Sequence, residues 1–280
     1  MQAHLKALTD VESREPRHPG HAKAIAYIKD QLGRIEGVTV DSQRFVYQNI
    51  PLENIFATID PPGGAPPSGW LLILAHFDTT AKSTAGWRPA LDPAPGADDN
   101  GTGTVALLEY ARLLAAERAS LRQRVVIGFV DGEEYFFKGS AAYLAIQPRP
   151  IPFANVLNID FVGFNPVADR LDLVWYTPVS AGLRDRVKAA NERYAIGVAP
   201  VVEQFATDPN VTIMDIAPWG VAGVPSVALA QRYPPTADGT YPGNTTFHTV
   251  NDTPAAVTNT RLWVKATRLL LAAALELLRG

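Results

Sequence analysis

The sequence predicts an α/β fold, a three-layer sandwich whose central, mostly parallel mixed sheet has helices on both faces. One observation is that short, continuous apolar runs, such as residues 70–75 and 124–130, are typical of strands buried on both faces. The other is that amphipathic runs with helical spacing, such as residues 101–117, alternate with these strands. Alternating buried strands and helices indicate a layered α/β sandwich. Without a convincing linker or internal repeat, residues 1–280 are expected to form a single domain.

The individual elements follow from these patterns in chain order. Apolar or alternating segments predict strands at residues 38–47, 54–59, 70–75, 124–130, 155–160, 171–176 and 226–230. Amphipathic segments predict helices at residues 22–32, 101–117, 139–145, 180–194 and 260–278. Residues 79–95 are irregular and rich in Pro, Ala and Gly, and loops of that length are often functional.

The charge and hydropathy patterns exclude two classes of partner. The chain has 25 Lys+Arg against 28 Asp+Glu, a net charge of -3, so it lacks the basic excess of a nucleic-acid binder. No apolar run approaches the roughly 20 residues that a membrane span needs, so no membrane partner is expected. The N-terminus has no signal-peptide pattern, which fits both a cytoplasmic protein and an exported mature chain.

The chain contains no cysteine and five histidines. The absence of cysteine excludes disulfides, thiolate nucleophiles, Cys-ligated zinc and iron–sulfur clusters. Any bound metal must therefore be held by His, Asp and Glu.

Ionisable residues follow the predicted strands or lie in polar loops near them. They are His76 and Asp78, Asp98 and Asp99, Glu133 and Glu134, Asp160, and His248. Each could have a structural role alone, as a core histidine, a helix cap or a turn residue. The carboxyl ends of parallel strands, however, gather such groups at one edge of the sheet. Crowded carboxylates repel each other unless cations neutralise them, which favours a metal site.

The residue types and spacings suit a zinc centre. His76 and Asp78 lie two apart on an extended chain, so the carboxylate can orient a metal-ligating imidazole. Of two adjacent glutamates, one can bind metal while the other acts as a base. This donor set suits Zn²⁺ best, with Co²⁺ or Mn²⁺ as substitutes. Two imidazoles and three carboxylates exceed the needs of one tetrahedral zinc and suit two ions sharing a carboxylate.

Five motifs in this order resemble those of the co-catalytic dizinc aminopeptidases, of the bacterial leucyl aminopeptidase and aminopeptidase Y type. The motifs are His76-Phe77-Asp78, Gly96-Ala97-Asp98-Asp99-Asn100, Gly132-Glu133-Glu134, Asn158-Ile159-Asp160 and Phe247-His248-Thr249-Val250-Asn251-Asp252-Thr253. The resemblance extends from Arg17 to the last predicted helix, and five ordered motifs are far more specific than any single one.

The resemblance implies a role for each residue of the set. The implied metal ligands are His76, Asp98, Glu134, Asp160 and His248. Asp98 would bridge two zinc ions, with His76 and Asp160 completing one site. Glu134 and His248 would complete the other site. Asp78 would orient His76, Glu133 would be the general base, and a cis peptide would join Asp98 to Asp99.

The implied function is a zinc-dependent exopeptidase that hydrolyses N-terminal residues from peptides with a free N-terminus, using a metal-bridging water. The same superfamily includes glutamate carboxypeptidases and glutaminyl cyclases, and residues 131–134 and 160–166 also resemble the cyclases. A glutaminyl cyclase-like transferase is therefore the alternative, although residues 98–101 favour the peptidase. A third hypothesis is a binding protein on an inactive hydrolase scaffold, which the complete ligand set disfavours. Residues 135–140 and 214–219 depart from the usual motifs, where they could reshape the substrate pocket.

Two further groups of residues have competing interpretations. His18 and His21 resemble a metal pair, but they flank Pro19 and Gly20 at a helix start, which favours surface capping. Aromatic residues near the site loops could line a pocket for an apolar side chain or simply pack. These are Trp87, Tyr135, Phe136, Phe137, Tyr233 and Tyr241.

Overall fold

The computed structural model describes residues 1–175, 177–198, 201–205, 214–231 and 235–280, with only the backbone described for residues 201–205. The strands are β1 Thr39–Tyr47, β2 Ile50–Ile59, β3 Trp70–His76, β4 Val125–Val130, β5 Phe153–Asp160, β6 Leu171–Trp175, β7 Val201–Phe205 and β8 Ser226–Ala230. The helices are α1 Gln2–Thr9, α2 Pro19–Gly33, α3 Gly103–Ala116, α4 Lys138–Ala145, α5 Ala181–Arg193, α6 Ala217–Val221 and α7 Thr260–Arg279.

The described strands form one sheet in the order β1-β2-β4-β3-β5-β8-β6-β7. The four central strands β4, β3, β5 and β8 are mutually parallel, whereas β2 and β6 join them in the antiparallel sense. This mixed sheet confirms the predicted fold class. Because the central strands are parallel, their carboxyl ends lie at one edge of the sheet, where loops can build a site.

The helices cover both faces of the sheet unequally. The larger core includes the apolar sides of α2, α3, α5 and α7, with Ile28, Leu107 and Leu270 fully buried. The opposite face has a smaller core, in which Trp219 of α6 packs with Leu72 and Leu74 of β3. Each such side chain contributes about 1.5–3 kcal/mol when it leaves water, so the burial on both faces holds β3 firmly in place.

Several elements differ from their predicted bounds. β2 begins at Ile50, four residues earlier than predicted, in a tight hairpin with β1. The polar residue Asn54 interrupts the apolar run, but its side chain donates to the Gly139 carbonyl and accepts from Asp131 N–H inside the protein. The short elements α1, α6 and β7 were not predicted, since five to eight residues give little periodicity. Across the described ranges, no helix is both long and apolar enough to cross a membrane.

Candidate metal centre

Two neighbouring strands place a histidine and a carboxylate side by side. His76 is the last residue of β3 and Asp160 the last of β5, and the two strands pair in parallel register. His76 Nε2 lies 3.2 Å from Asp160 Oδ1, and both side chains are almost completely buried. The sheet register itself therefore brings this predicted pair together.

The second pair comes from loops beyond the sheet edge. Glu134 lies in a short 3₁₀ turn after β4, and His248 lies in the polar segment before α7. His248 Nε2 is 3.0 Å from Glu134 Oε1. The structure thus also brings these two predicted ligands together.

Asp99 lies between the two pairs. Its Oδ1 is 3.2 Å from His76 Nε2, and its Oδ2 is 3.0 Å from His248 Nε2. Two groups of possible metal ligands result, His76–Asp99–Asp160 and Asp99–Glu134–His248, and they share only the Asp99 carboxylate. This is the geometry expected of a bridging ligand.

The predicted bridging residue, Asp98, is therefore wrong by one position. The Asp98 side chain accepts hydrogen bonds from Gly163 N–H at 2.7 Å and from the Asn244 amide at 3.3 Å. These bonds direct the Asp98 carboxylate toward Gly163, in the loop that follows β5, and toward Asn244, and Asp98 belongs to neither group of possible metal ligands. The cis peptide is also displaced by one residue from its predicted position, since it joins Asp99 to Asn100.

Asp252 is a functional candidate that the sequence reasoning did not single out. Its two carboxylate oxygens accept the backbone N–H groups of Asp98 and Asp99, each at 3.0 Å. Burial raises the pKa of Asp252 to about 7. The sequence signal that could have identified Asp252 is its position four residues after His248, in the same motif. Asp252 links the segment that carries Asp99 to the segment that carries His248.

Asp78, the residue predicted to orient His76, lies beside the imidazole of that histidine. Nδ1 of His76 faces the Asp78 carbonyl oxygen at 3.2 Å and the carboxylate Oδ1 at 3.5 Å. Because both are acceptors, Nδ1 would keep its proton toward Asp78 when Nε2 binds a metal ion. The Asp78 carboxylate also accepts the N–H groups of Glu133 and Glu134, at 3.1 and 3.2 Å. Asp78 therefore connects the two halves of the centre.

Glu133 lies next to the predicted ligand Glu134, at the start of the same turn. Burial raises its pKa well above the ordinary value; the His76 imidazole opposes this rise, and the Glu134 carboxylate adds to it. A glutamate with a raised pKa can both accept and return a proton near neutral pH. The general-base role predicted for Glu133 is compatible with this position beside a ligand.

The donor set fits divalent zinc. The nitrogen and oxygen atoms of each group lie within 4.8 Å of one another, and all are His or carboxylate ligands. In the described part of the chain, Glu134 Oε1 and Asp160 Oδ1 are buried without any hydrogen bond of acceptable geometry. Buried carboxylate oxygens are costly when unpaired, and a cation between the groups would satisfy them.

Burial also shifts the titration of the ligands themselves. It raises the pKa of Asp160 to about 6, against the opposing effect of the His76 imidazole. Burial of the charged ring lowers the pKa of His248, but the Asp99 and Glu134 carboxylates, each 3.0 Å from Nε2, favour the charged form more strongly and raise the pKa to about 9.

A further buried carboxyl group, Asp215, borders the centre. It precedes α6 in one of the segments that depart from the family motif, and neither oxygen has a hydrogen-bond partner among the described residues. Burial raises its pKa well above the ordinary value, and the Asp160 and Asp78 carboxylates raise it further. Sequence reasoning did not select Asp215 as a site residue.

His18 and His21 are not part of the metal centre. His18 Nδ1 accepts the Gly20 N–H at 3.0 Å and caps α2, as the capping interpretation predicts. His21 is buried rather than at the surface, with its ring stacked on Phe77 and Nε2 3.0 Å from Asp131 Oδ2. Neither is a metal ligand in this arrangement.

An open cleft of about 340 Å³ leads to the loop side of the centre. Its lining residues are Glu15, Arg17, Thr79, Thr80, Lys82, Trp87, Pro89, Glu134 and Tyr135. Of the aromatic residues considered above, Trp87 and Tyr135 line this cleft. Phe136 is exposed, Tyr241 is buried against Phe164, and Tyr233 lies outside the described residues.

Comparison with solved structures places this architecture among known enzymes. The LapA aminopeptidase of Legionella pneumophila matches all of this chain and 71% of its own, with a TM-score of 0.77 and 18% identity. A Bacteroides thetaiotaomicron glutaminyl cyclase matches 99% of this chain and 96% of its own, with a TM-score of 0.73 and 19% identity. At these identities the likeness establishes the fold.

Sequence comparison identifies the family of this chain. A probable zinc metalloprotease of Leptosphaeria maculans is 30% identical over 143 residues, which is 49% of this chain and 31% of that protein. The alignment thus spans about a third of the relative's length. The profile of peptidase family M28 matches residues 54–273, the region that holds both groups of metal ligands. On this match, the chain belongs to peptidase family M28, a family of zinc-dependent hydrolases.

Proposed function

We propose that this protein is a two-zinc aminopeptidase. The observation that carries the proposal is the position of Asp99, whose two oxygens reach separate histidines at 3.2 and 3.0 Å. His76 and Asp160 would complete one zinc site, and Glu134 and His248 the other. When bound, the two ions would polarise the scissile carbonyl and acidify a water molecule.

Glu133 would move the proton in this reaction. As a base it takes a proton from the attacking water, and it then returns that proton to the leaving amine. The direction of its pKa shift, above the ordinary carboxyl value, favours the return of the proton as well as its uptake. Asp78 supports this role, because its carboxylate holds the backbone N–H of Glu133.

The donor chemistry of the centre and the size of the cleft support action at a free N-terminus. A neutral α-amine is a nitrogen donor of the kind that zinc accepts beside His and carboxylate ligands. The adjoining cleft, at about 340 Å³, has room for one substrate side chain, with Trp87 and Tyr135 as apolar walls.

The test is zinc content combined with hydrolysis of aminoacyl anilides. We expect two zinc ions per chain in the wild-type protein, and hydrolysis of a leucyl anilide. Glu133→Gln should keep both ions and lose about 10²–10⁴-fold in kcat, because the proton acceptor is gone. The exposed residue Glu36 provides a matched control, since Glu36→Gln makes the same chemical change far from the site. Normal activity in Glu133→Gln would contradict the proposed mechanism.

A glutaminyl cyclase is the second candidate, and the fold likeness to the Bacteroides thetaiotaomicron enzyme favours it specifically. Peptides that begin with Gln discriminate the two activities by mass spectrometry. An aminopeptidase releases free glutamine and a shortened peptide, whereas a cyclase releases ammonia and retains a pyroglutamyl peptide. A pyroglutamyl product without peptide-bond cleavage would replace the first proposal by the second.

A further inference from the structure

Arg14 is a completely buried arginine in the segment between α1 and α2, outside the predicted ligand set. Its guanidinium donates only to backbone carbonyls. Nε donates to Phe77 at 2.6 Å, one terminal nitrogen donates to Pro95 at 2.6 Å and Leu8 at 3.3 Å, and the other donates to Gly96 at 2.8 Å. These bonds use four of its five N–H donors.

The carbonyl groups that Arg14 binds belong to the segments that carry the proposed ligands. Phe77 lies between His76 and Asp78 at the end of β3. Pro95 and Gly96 immediately precede the turn that contains Asp99. One rigid, planar side chain therefore joins the segment of the strand ligand to the segment of the shared ligand.

The backbone around Arg14 strengthens the same junction. Its N–H donates to Thr79 Oγ1 at 3.0 Å, and that hydroxyl donates to the Ala94 carbonyl at 2.9 Å. Gly96 has a φ of 53°, and a Cβ there would lie 2.2 Å from Thr79 Cγ2 and 2.4 Å from the Asp99 carbonyl oxygen. The junction is thus packed too tightly to admit another side chain.

The charge of Arg14 also faces the centre. Burial lowers its pKa to about 10, while Asp252, Asp99 and Asp78 oppose that fall, so the side chain remains a cation at neutral pH. Burying a cation that contacts no carboxylate costs free energy unless nearby acidic groups compensate its charge. Here three nearby acidic groups around the centre supply that compensation.

We propose that Arg14 is a positioning residue of the metal centre, whose guanidinium fixes the separation of His76 and Asp99 before metal binds. Lysine cannot replace it, because an ammonium group carries the charge without the planar fork that reaches several carbonyls. The inference rests on the proposed zinc centre, and it concerns metal affinity rather than substrate.

The experiment is a zinc titration of Arg14→Lys and Arg14→Met against a competing chromophoric chelator. Both variants should bind zinc about 10–100-fold more weakly than wild type, as expected when a ligand's supporting contacts are lost. The visible spectrum of the Co²⁺ form should change in both variants, because the ligand geometry relaxes. Arg124→Lys is the control, since Arg124 pairs with Asp60 at the opposite edge of the sheet.

The outcomes separate the inference from the proposed function. A wild-type protein that bound no zinc would overturn both. Wild-type affinity and an unchanged Co²⁺ spectrum in folded Arg14→Lys would overturn the positioning role, even if the melting temperature fell. If Arg14→Lys does not fold, Thr79→Val tests the same junction. It should weaken zinc binding by a smaller factor, and unchanged affinity there would count against the inference.

Discussion

The two halves of the metal centre are built by different means. In the strand half, His76 and Asp160 end two paired strands and are 1% and 2% exposed. In the loop half, Glu134 and His248 come from a short turn and a polar loop, and the His248 side chain is 13% exposed. The strand half is fixed by the sheet, whereas the loop half borders the open cleft. The contrast indicates that ligand geometry is set on one side and that substrate enters on the other.

The largest effect should come from the residue that joins the halves. Asp99→Asn should reduce zinc content below two ions per chain and lower kcat/KM by at least about 10³-fold, because both sites lose a charged ligand. Zinc analysis and leucyl-anilide kinetics measure the two effects.

Asp98→Asn is the matched control for that change. The amide keeps an oxygen that can accept the Gly163 N–H, and Asp98 is not among the grouped ligands. It should retain two zinc ions and most of the activity. If Asp98→Asn lost zinc and Asp99→Asn did not, the bridging assignment would have to revert to Asp98.

The next effect should distinguish the halves from each other. His76→Gln and His248→Gln should each weaken zinc binding by about 100-fold or more at one site. His76→Gln should also lower the free energy of unfolding of the metal-free protein, by about 1–3 kcal/mol, because it disturbs a buried hydrogen-bonded residue. Calorimetry of both metal-free variants compares their losses in the free energy of unfolding. Equal losses in His76→Gln and His248→Gln would contradict the proposed difference between the strand half and the loop half.

A smaller effect is expected at the exposed border of the loop half. Lys82 donates to Glu134 Oε2 at 3.1 Å, and its side chain is 54% exposed. Lys82→Met should change the stability of the metal-free protein by less than about 1 kcal/mol. Zinc affinity should rise by less than about 10-fold, since a competing cation is removed, and the gain should shrink in about 1 M salt. Lys6→Met, at another exposed ion pair, is the control. A fall in zinc affinity in Lys82→Met but not in Lys6→Met would contradict the role of Lys82 as a cation that competes with zinc.

A further effect concerns stability rather than zinc binding, at the support beneath the strand half. The pKa of His21 is raised above 6.5, because its bond to Asp131 outweighs the cost of burial. Since the folded pKa exceeds the unfolded one, this stabilisation is present below pH 6.5 and is lost as the pH rises through the folded pKa. Wild type should therefore exceed His21→Gln in stability by about 1–3 kcal/mol near pH 6, with the difference shrinking as the pH rises through the folded pKa of His21. Denaturant unfolding of the metal-free proteins at several pH values measures it, and a constant difference would refute the linkage.

The sequence predicted the ligand pairs of both halves but not the residue that joins them, for a physical reason. Buried parallel strands are continuous apolar runs, so the ends of β3 and β5 could be found and His76 and Asp160 assigned to one edge. The identity of the bridging aspartate could not be found this way. Asp98 and Asp99 are chemically identical neighbours, and only tertiary contacts distinguish them. The Asp98 carboxylate accepts from Gly163 N–H, whereas the Asp99 oxygens lie 3.2 and 3.0 Å from Nε2 of His76 and His248.

Contacts distant in sequence were also beyond prediction. Arg14 lies 63 residues from Phe77 and 82 from Gly96, and no local pattern indicates that it would be buried between them. Asp252 lies about 150 residues from the backbone groups it binds. Periodicity reports on neighbours in the chain, and such contacts form only once the sheet has assembled.

The sequence alone determined the chemistry of this protein: an α/β sheet edge, no cysteine, and a set of His and carboxylate residues suited to zinc. The tertiary structure decided which aspartate is shared, how Asp78 and Asp252 hold the ligand segments, and that a buried arginine joins two of them. The reason is that side-chain chemistry is local to a residue. The distances of about 3 Å that make a metal site depend on how separate segments pack.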